Sequence, residues 1–198
     1  VAGSISTLSG WFEVTADIIA ESIHPRDRNT ILDIGCGTAN IAKFLPQDIT
    51  YIGFDISSAY IDRARKRHPN RGPFFDRLFT AKELPSLPRF DIAIATNLLH
   101  HLDDNEALDL FQLVKTALKP DGRFITIDPC RITPQNRVAR FIIDRDRGCN
   151  VREPAEYEHL AMSAFPNVRT EVKHRTWIPY THCVLECCRK ADEIADRL

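Results

Sequence analysis

Short apolar runs alternate with amphipathic stretches between Thr30 and Asp128. Four runs are dense enough in apolar residues to be buried strands: Ile31–Gly35, Tyr51–Phe54, Asp91–Thr96 and Arg123–Ile127. Near-continuous apolar strands separated by helices are typical of a parallel sheet that is covered on both faces. The pattern therefore predicts an α/β fold with a doubly wound, mostly parallel sheet.

Two of the intervening stretches predict helices with clear start signals. Ser57 or Ser58 can cap the first helix, and Asp103 or Asp104 can cap the second. A turn at residues 119–122 is predicted to end the second helix. The apolar faces contain Tyr60, Ile61 and Ala64 in the first helix and Ala107, Phe111, Val114 and Leu118 in the second.

The pattern changes after Phe165. Apolar and charged residues alternate from Val168 to Thr176, which predicts a strand with one wet face, and the segment from Thr181 is its expected partner. The stretch from Phe165 to Lys190 therefore predicts an antiparallel hairpin appended to the parallel sheet.

Two further segments complete the predicted organisation. Residues 1–198 are expected to form a single domain, with the polar, proline-punctuated residues 129–164 as a lid or substrate-side insertion. The amphipathic stretch around Trp11 and Phe12 predicts a covering helix more readily than a substrate cage.

Composition and charge narrow the class of protein. The chain has 198 residues with 26 Lys+Arg and 27 Asp+Glu, so its net charge of -1 gives no global attraction to nucleic acid or anionic lipid. No apolar run approaches the roughly 20 residues that cross a bilayer, and the N-terminal residues lack the pattern of a signal peptide. The six cysteines form no C-x-x-C pair and predict reduced thiols in a cytoplasmic protein.

A glycine turn follows the first predicted strand, and an acid follows the second. Gly35 and Gly37 would let a ligand approach bare backbone, and Asp55, 20 residues after Gly35, can accept hydrogen bonds from a ribose diol. The linked pattern predicts a nucleotide-like ligand. A dinucleotide is disfavoured because Asn40 stands where the third small residue is needed and Asp33 places a carboxylate beside the turn, so a nicotinamide-dependent oxidoreductase is the least favoured alternative.

Four segments resemble the successive motifs of class I S-adenosylmethionine-dependent methyltransferases of the small-molecule type. They read LDIGCGTAN, GFDIS, FDIAIATNLLHHLDD and LKPDGRFITIDP, and together they span Thr30 to Asp128. The resemblance implies a Rossmann-like, seven-stranded sheet with an antiparallel C-terminal hairpin. It also implies S-adenosyl-L-methionine as the cofactor, S-adenosyl-L-homocysteine as its product, and a methyl acceptor atom that is oxygen, nitrogen or carbon.

The resemblance also implies which residues contact the cofactor. The methionine part would lie against the glycine turn, the ribose hydroxyls against the acid after the second strand, and a further contact would come from the end of the fourth strand. The implied cofactor-binding residues are Asp33, Gly35, Cys36, Gly37, Asp55, Ile56, Thr80 and Asn97. Thr80 stands where relatives often have an adenine-binding Asp, and Asp76 is the alternative in another register.

Methyl transfer needs few catalytic groups, because it is an in-line displacement that mainly requires alignment. His101 and His100 follow the fourth strand, at the edge where ligands bind in open α/β sheets, and are the candidate proton acceptors. A positioning or structural role for both histidines is the competing interpretation. No metal site is predicted.

The stretch from Arg131 to Arg152 contains six arginines and only two acids. One interpretation is binding of an acidic acceptor; the favoured one is a lid whose arginines pair with acids of the same segment, namely Asp144, Asp146, Glu153 and Glu156. The basic run from Arg63 to His68 complements a helix dipole and needs no polyanion. The predicted partner is a small-molecule acceptor rather than nucleic acid or a membrane, and a non-catalytic scaffold is the alternative function.

Overall fold

The computed structural model describes residues 22–26, 28–135, 140–141, 143, 148–175 and 178–190. The predicted helix around Trp11 and Phe12 lies outside this part of the chain. Within it, the structure contains no helix that is both long and apolar enough to cross a bilayer.

Seven strands and three α-helices form the described part of the chain. The strands are β1 (Thr30–Ile34), β2 (Thr50–Phe54), β3 (Phe74–Phe75), β4 (Phe90–Thr96), β5 (Leu118–Pro129), β6 (Asn167–Arg175) and β7 (Ile178–Cys188). The α-helices are α1 (Ser58–Arg67), α2 (Asp104–Ala117) and α3 (Pro154–Met162). Short 3₁₀ helices lie at Asn40–Phe44, Leu84–Ser86 and Leu99–His101.

The strands form one sheet in the order β3-β2-β1-β4-β5-β7-β6. Strands β1 to β5 pair in parallel, whereas β7 is antiparallel to both β5 and β6. The predicted α/β class, the parallel sheet and the antiparallel hairpin are therefore confirmed. The strand order reverses between β1 and β4, which makes their carboxyl ends the topological switch point where ligands bind in such sheets.

The parallel strands are buried because successive apolar residues enter two different cores. On β1, Leu32 packs into the core on one face of the sheet, and its neighbour Ile31 packs into the core on the other. The same division separates Ala93 from Ile94 on β4. A strand buried on both faces is apolar at most positions, which explains the nearly continuous runs in the sequence.

Both predicted helices form, with differences at their ends. Ser57 caps α1 by accepting a hydrogen bond from the Tyr60 N–H at 3.3 Å, and Asp103 caps α2 in a reciprocal capping box with Glu106. The side chain of Tyr60 is 47% exposed, so its placement on the apolar face was wrong. The predicted turn at 119–122 was also wrong, because these residues belong to β5 and the carbonyl of Gly122 accepts the N–H of Arg189 beyond β7.

The segment after β5 returns across the molecule through α3. Helix α3 begins at Pro154 with a capping box between Glu153 and Glu156, and its C-terminal end is bound to α2 by hydrogen bonds from Gln112 to the Ser163 carbonyl and from Lys115 to the Ala164 carbonyl. The cysteines are free thiols, and all but the exposed Cys149 are buried.

Candidate active site

Two turns meet at the switch point of the sheet. The glycine turn (residues 35–39) leaves β1, and the histidine turn (residues 97–102) leaves β4. A Cβ atom added at Gly35 would lie 3.3 Å from Cδ1 of Leu98, so the two turns already approach each other as closely as side-chain packing allows. Gly35 has a φ of 72°, a left-handed conformation that also favours glycine.

The glycine turn is fixed to the end of β2. The N–H groups of Gly35 and Cys36 both donate to the carbonyl of Phe54, at 2.8 and 3.0 Å. Gly37 has a φ of 53°, and a Cβ atom at this position would meet no atom of the described residues within 4 Å. The turn thus presents bare backbone toward open space. The chain then continues as the 3₁₀ helix of five residues at Asn40–Phe44.

Asp55 links the glycine turn to the start of α1. Its Oδ2 accepts the N–H of Gly37 at 2.9 Å and its Oδ1 accepts the N–H of Ser57 at 2.8 Å. A carboxylate offers about four acceptor sites, so both oxygens retain capacity for a further donor such as a ribose hydroxyl.

Asp33 lies beneath the glycine turn and is fully buried. The Tyr51 hydroxyl donates to its Oδ2, whereas its Oδ1 has no hydrogen-bond partner among the described residues. Burial is the main cause that raises the pKa of Asp33 to about 7, the Tyr51 hydrogen bond opposes this shift, and the charge of Asp55 adds to it. Asp33 therefore supports the turn from below rather than presenting a side chain at the surface.

Cys36 and Ile56 occupy opposite environments. The Cys36 side chain is buried, and its Sγ would lie 2.8 Å from a Cβ atom on Gly53, so it fills the space that this glycine leaves. A ligand would meet Cys36 through its backbone. Ile56, directly after Asp55, is 72% exposed, which makes it a large apolar side chain on offer at the carboxyl edge of the sheet.

Thr80 makes its hydrogen bonds locally. Both its N–H and its hydroxyl donate to Oε2 of Glu83, at 2.9 and 2.6 Å, and its carbonyl accepts the N–H of Glu83. These hydrogen bonds are the main cause that lowers the pKa of Glu83. Asp76, the alternative adenine-binding residue, is exposed. The structure thus gives Thr80 a local structural role that the sequence did not suggest.

The histidine turn begins with a strained residue. Asn97 has a φ of 52°, and its N–H donates to the carbonyl of Ile127 on β5 at 2.8 Å. Asparagine tolerates this left-handed conformation better than most residues. The turn then separates the two candidate histidines: His100 is 3% exposed, His101 is exposed, and their ring centroids are 4.1 Å apart.

His100 is held by a residue that the sequence analysis did not select. Oδ1 of Asp128 lies 2.8 Å from Nδ1 of the His100 ring and 3.2 Å from its backbone nitrogen. Asp128 is 1% exposed and lies near the end of β5. Its position as an acid at the carboxyl end of a buried parallel strand was the signal available in the sequence.

Arg152 also binds the histidine turn. Its guanidinium donates to the carbonyls of Leu99 and Leu102, at 3.0 and 2.8 Å, and forms an ion pair with Asp104 at 2.7 Å. The prediction that Arg152 pairs with acids of its own segment was therefore wrong: Glu153 and Glu156 cap helix α3 instead, and Asp144 and Asp146 lie outside the described residues. Arg152 can be buried because the carbonyl oxygens of the turn and the Asp104 carboxylate accept its hydrogen bonds.

The basic residues around α1 bind the protein itself. Arg65 donates to the carbonyl of Phe74 at 2.8 Å, and Arg71 donates to those of Leu45 and Ile49. Arg67 hydrogen-bonds the side chains of Thr38 and Asn40 beside the glycine turn. These contacts account for three cations without a polyanionic partner.

Known proteins resemble both the sequence and the fold. Residues 32–124 match the methyltransferase domain family model. An uncharacterised methyltransferase of Mycobacterium bovis is 27% identical over 165 residues, which cover 78% of each chain. The S-adenosylmethionine-dependent methyltransferase SibL in its apo form has a TM-score of 0.74 at 18% identity, covering 96% of this chain and 60% of SibL.

Human N-acetylserotonin methyltransferase, solved in complex with S-adenosylmethionine, shares the fold with a TM-score of 0.67 at 19% identity. The match covers 92% of this chain and 54% of the human protein. The family match includes β1, the glycine turn, Asp55 and the histidine turn, which are the elements that meet at the switch point. Over these residues the chain is therefore similar to the methyltransferase domain family, and its fold is similar to that of S-adenosylmethionine-dependent methyltransferases.

Proposed function

We propose that the chain transfers the methyl group of S-adenosylmethionine to a small-molecule acceptor that binds at the carboxyl edge of the sheet, beside the histidine turn. The observation that carries the proposal is the contact between Asp55 and Gly37, which joins the acid after β2 to an open glycine turn after β1. When bound, the cofactor supplies an electrophilic methyl group on a sulfonium.

The residues present fit this cofactor in four respects. The open space over Gly37 admits a ligand against bare backbone, and Asp55 retains acceptor capacity for the ribose hydroxyls. Ile56 offers an exposed apolar surface for the adenine. Asp33 contributes a carboxyl group beneath the turn, where an ammonium group of the ligand would favour its charged form.

The remaining assignments follow from placement. Gly35, Cys36 and Gly37 would contact the methionine part through their backbones, and Asn97 borders the same crevice from β4. Thr80 would contribute to the adenine site through the loop that it shapes with Glu83. His101 is the exposed candidate base. His100 is buried beneath residues 148–150, which would have to move before an acceptor could reach its ring.

Two observations support a small acceptor. Among the described residues, Arg65, Arg67 and Arg71 near the cofactor crevice hydrogen-bond the protein itself, which makes them less available to phosphates of a nucleic acid. The human structural neighbour is named for methylation of N-acetylserotonin, a small molecule, on the same fold. Residues 129–164, which contain α3, would close over this acceptor as part of a single, cytoplasmic domain.

Calorimetric titration with S-adenosylhomocysteine tests the cofactor site. D55A is expected to weaken binding by about 1–3 kcal/mol, because charge-assisted hydrogen bonds to the ribose are lost. D62A is the matched control, since Asp62 is an exposed carboxylate on α1 outside the crevice. Equal affinities for the wild type and D55A would contradict the ribose assignment, and binding of NADH in competition with S-adenosylhomocysteine would favour an oxidoreductase.

Transfer of a labelled methyl group tests the acceptor class. The protein and labelled S-adenosylmethionine are incubated with a cell extract that has been separated into metabolite, protein and nucleic-acid fractions. Label is expected to appear in the metabolite fraction. Small acids and phenols are the first candidate acceptors to be examined in that fraction. Label confined to either macromolecular fraction would contradict a small-molecule acceptor.

A further inference from the structure

Asp128 lies in a buried polar cluster at the carboxyl end of β5. The cluster also contains His100 from the histidine turn, Cys130 after β5, Tyr157 from α3 and His182 from β7, each at most 5% exposed. The Tyr157 hydroxyl donates to the carbonyl of Pro129 at 3.1 Å. Four separate parts of the chain thus enclose one carboxyl group.

The other titratable members of the cluster are neutral near pH 7. Burial, with the charge of Asp128 as a further cause, raises the pKa of Cys130 to about 12 and that of Tyr157 above its usual range. Burial and the neighbouring His100 lower the pKa of His182 to about 4. His100 is therefore the group that the structure gives Asp128 as a hydrogen-bond donor.

The two contacts between these residues define the direction of the hydrogen bond. Oδ1 of Asp128 lies 3.2 Å from the backbone nitrogen of His100, whose N–H can only donate. The same oxygen lies 2.8 Å from Nδ1 of the ring, and a carboxylate oxygen accepts two hydrogen bonds. With both contacts on one acceptor, a ring hydrogen belongs on Nδ1.

The opposite edge of the His100 ring is covered by residues 148–150. A Cβ atom added at Gly148 would overlap Cδ2 of His100, the ring carbon bonded to Nε2, and would lie 2.7 Å from the His100 carbonyl oxygen. That carbonyl accepts the N–H of Asn150 at 3.0 Å. Gly148 is thus needed for the cover to lie directly on the ring.

We propose that Asp128 is a positioning residue that fixes His100 in its Nδ1-protonated tautomer, with Nε2 beneath a removable cover formed by residues 148–150. The use of Nε2 as a proton acceptor rests on the proposed methyl transfer, whereas the tautomer and the cover do not. His100 and His101 then differ in their surroundings: His100 is held by Asp128 and covered, whereas His101 is exposed.

Nitrogen-15 spectra of the histidine rings test the tautomer. The intact chain is labelled and studied above the ordinary histidine pKa of about 6.5, and H100N identifies the His100 signals by their loss. The wild type is expected to show a protonated Nδ1 and an unprotonated Nε2 at His100. D128A is expected to shift His100 toward the Nε2-protonated form, because the acceptor for the Nδ1 hydrogen is gone.

D128N is the conservative rescue variant, since its amide oxygen can accept at the position of Oδ1. It is expected to restore the wild-type tautomer, and the His159 signals on α3 serve as a control for folding. A wild-type His100 protonated at Nε2 would overturn the proposal, as would a D128N spectrum equal to that of D128A. Calorimetry with S-adenosylhomocysteine is independent of this result, so failure of the proposed function is recognised separately.

Diethyl pyrocarbonate modification, located by tandem mass spectrometry, tests the cover without altering Asp128. In the wild type, His101 is expected to react while His100 is protected. G148A is expected to raise the rate at His100 several-fold relative to His101, because the new methyl group displaces the cover from the ring. C149A, at an exposed position in the same cover, is the matched control and is expected to leave the rate unchanged. Equal rates at His100 and His101 in the wild type would overturn the cover.

Discussion

The glycine turn and the histidine turn border the same crevice, but they are held in different ways. The glycine turn is fixed by Asp55 and by the end of β2, and Asp55 lies only 18 residues after Gly37 in the sequence. The turn leaves open space over Gly37. The histidine turn is held by Asp128, 28 residues from His100, and by Arg152, 53 residues from Leu99.

This difference separates two requirements of methyl transfer. A cofactor that is the same for a whole family needs a crevice with a constant backbone shape, which a short motif can specify. An acceptor that differs between relatives needs an adaptable wall, and here that wall is joined to the histidine turn by residues from the segment after β5. The long-range contacts of Asp128 and Arg152 therefore set the geometry of the histidine turn, beside which the acceptor is proposed to bind.

The largest expected effect is the loss of the Arg152 guanidinium. R152A would remove the guanidinium that donates to the carbonyls of Leu99 and Leu102 and to the carboxylate of Asp104, and would leave a cavity in place of the side chain. We expect the free energy of unfolding to fall by about 3–5 kcal/mol in urea titrations. R63A removes an exposed arginine and is expected to cost less than about 0.5 kcal/mol. Equal losses in the two variants would show that Arg152 does not hold the turn.

On the side of the glycine turn, burial of the Asp33 carboxyl group makes the free energy of unfolding depend on pH. Its pKa is raised from 3.8 to about 7, so the folded state binds the proton more tightly than the unfolded state. The free energy of unfolding therefore falls as the pH rises between these values, by about 1.4 kcal/mol for each unit of difference, and is level above them. D33N, which does not titrate, is expected to remove this fall.

Urea titrations of the wild type and D33N across this range measure the difference directly. The groups that face Asp33 are Tyr51, Asp55 and Cys36, so a parallel titration of Y51F separates the hydroxyl contribution from burial. Y51F is expected to extend the fall to higher pH, because the Tyr51 hydrogen bond lowers the pKa of Asp33. A pH dependence that is the same in wild type and D33N would contradict the buried titration of Asp33.

The sequence predicted most of the fold because each parallel strand is specified by local pattern. The apolar runs, the cap at Asp103 and the alternation after Val168 all correspond to elements of the structure. The misplaced turn at 119–122 shows the limit. Pro-Asp-Gly chemistry favours a turn locally, but the strand runs through these residues, at an irregularity in its pairing with β4 between Phe90 and Ile92.

The site residues were predictable to the extent that they act through local geometry. Gly35, Gly37 and Asp55 follow from spacing along one βαβ unit, and the structure brings them together. Asp128 and Arg152 were not selected, because their partners lie 28 to 53 residues away and no spacing rule connects them. The division of His100 from His101 into buried and exposed members has the same cause.

The smallest of these effects belongs to His182 on the acceptor side, and its sign is opposite to that of Asp33. Burial and His100 lower the pKa of His182 from 6.5 to about 4, so the unfolded state binds the proton more tightly. Stability contributed by the neutral ring is present above pH 6.5 and is lost as the pH falls toward 4, by about 3 kcal/mol in total. H182Q is expected to remove this loss in urea titrations, so that the stability of the variant rises as the pH falls below 6.5, whereas H159Q, at an exposed position, is expected to keep the pH dependence of the wild type. Because Asp33 gains stability over the same acid range, the wild type hides both slopes, and only the paired variants H182Q and D33N reveal them. An H182Q protein as acid-sensitive as the wild type would show that the acceptor side holds no buried neutral histidine.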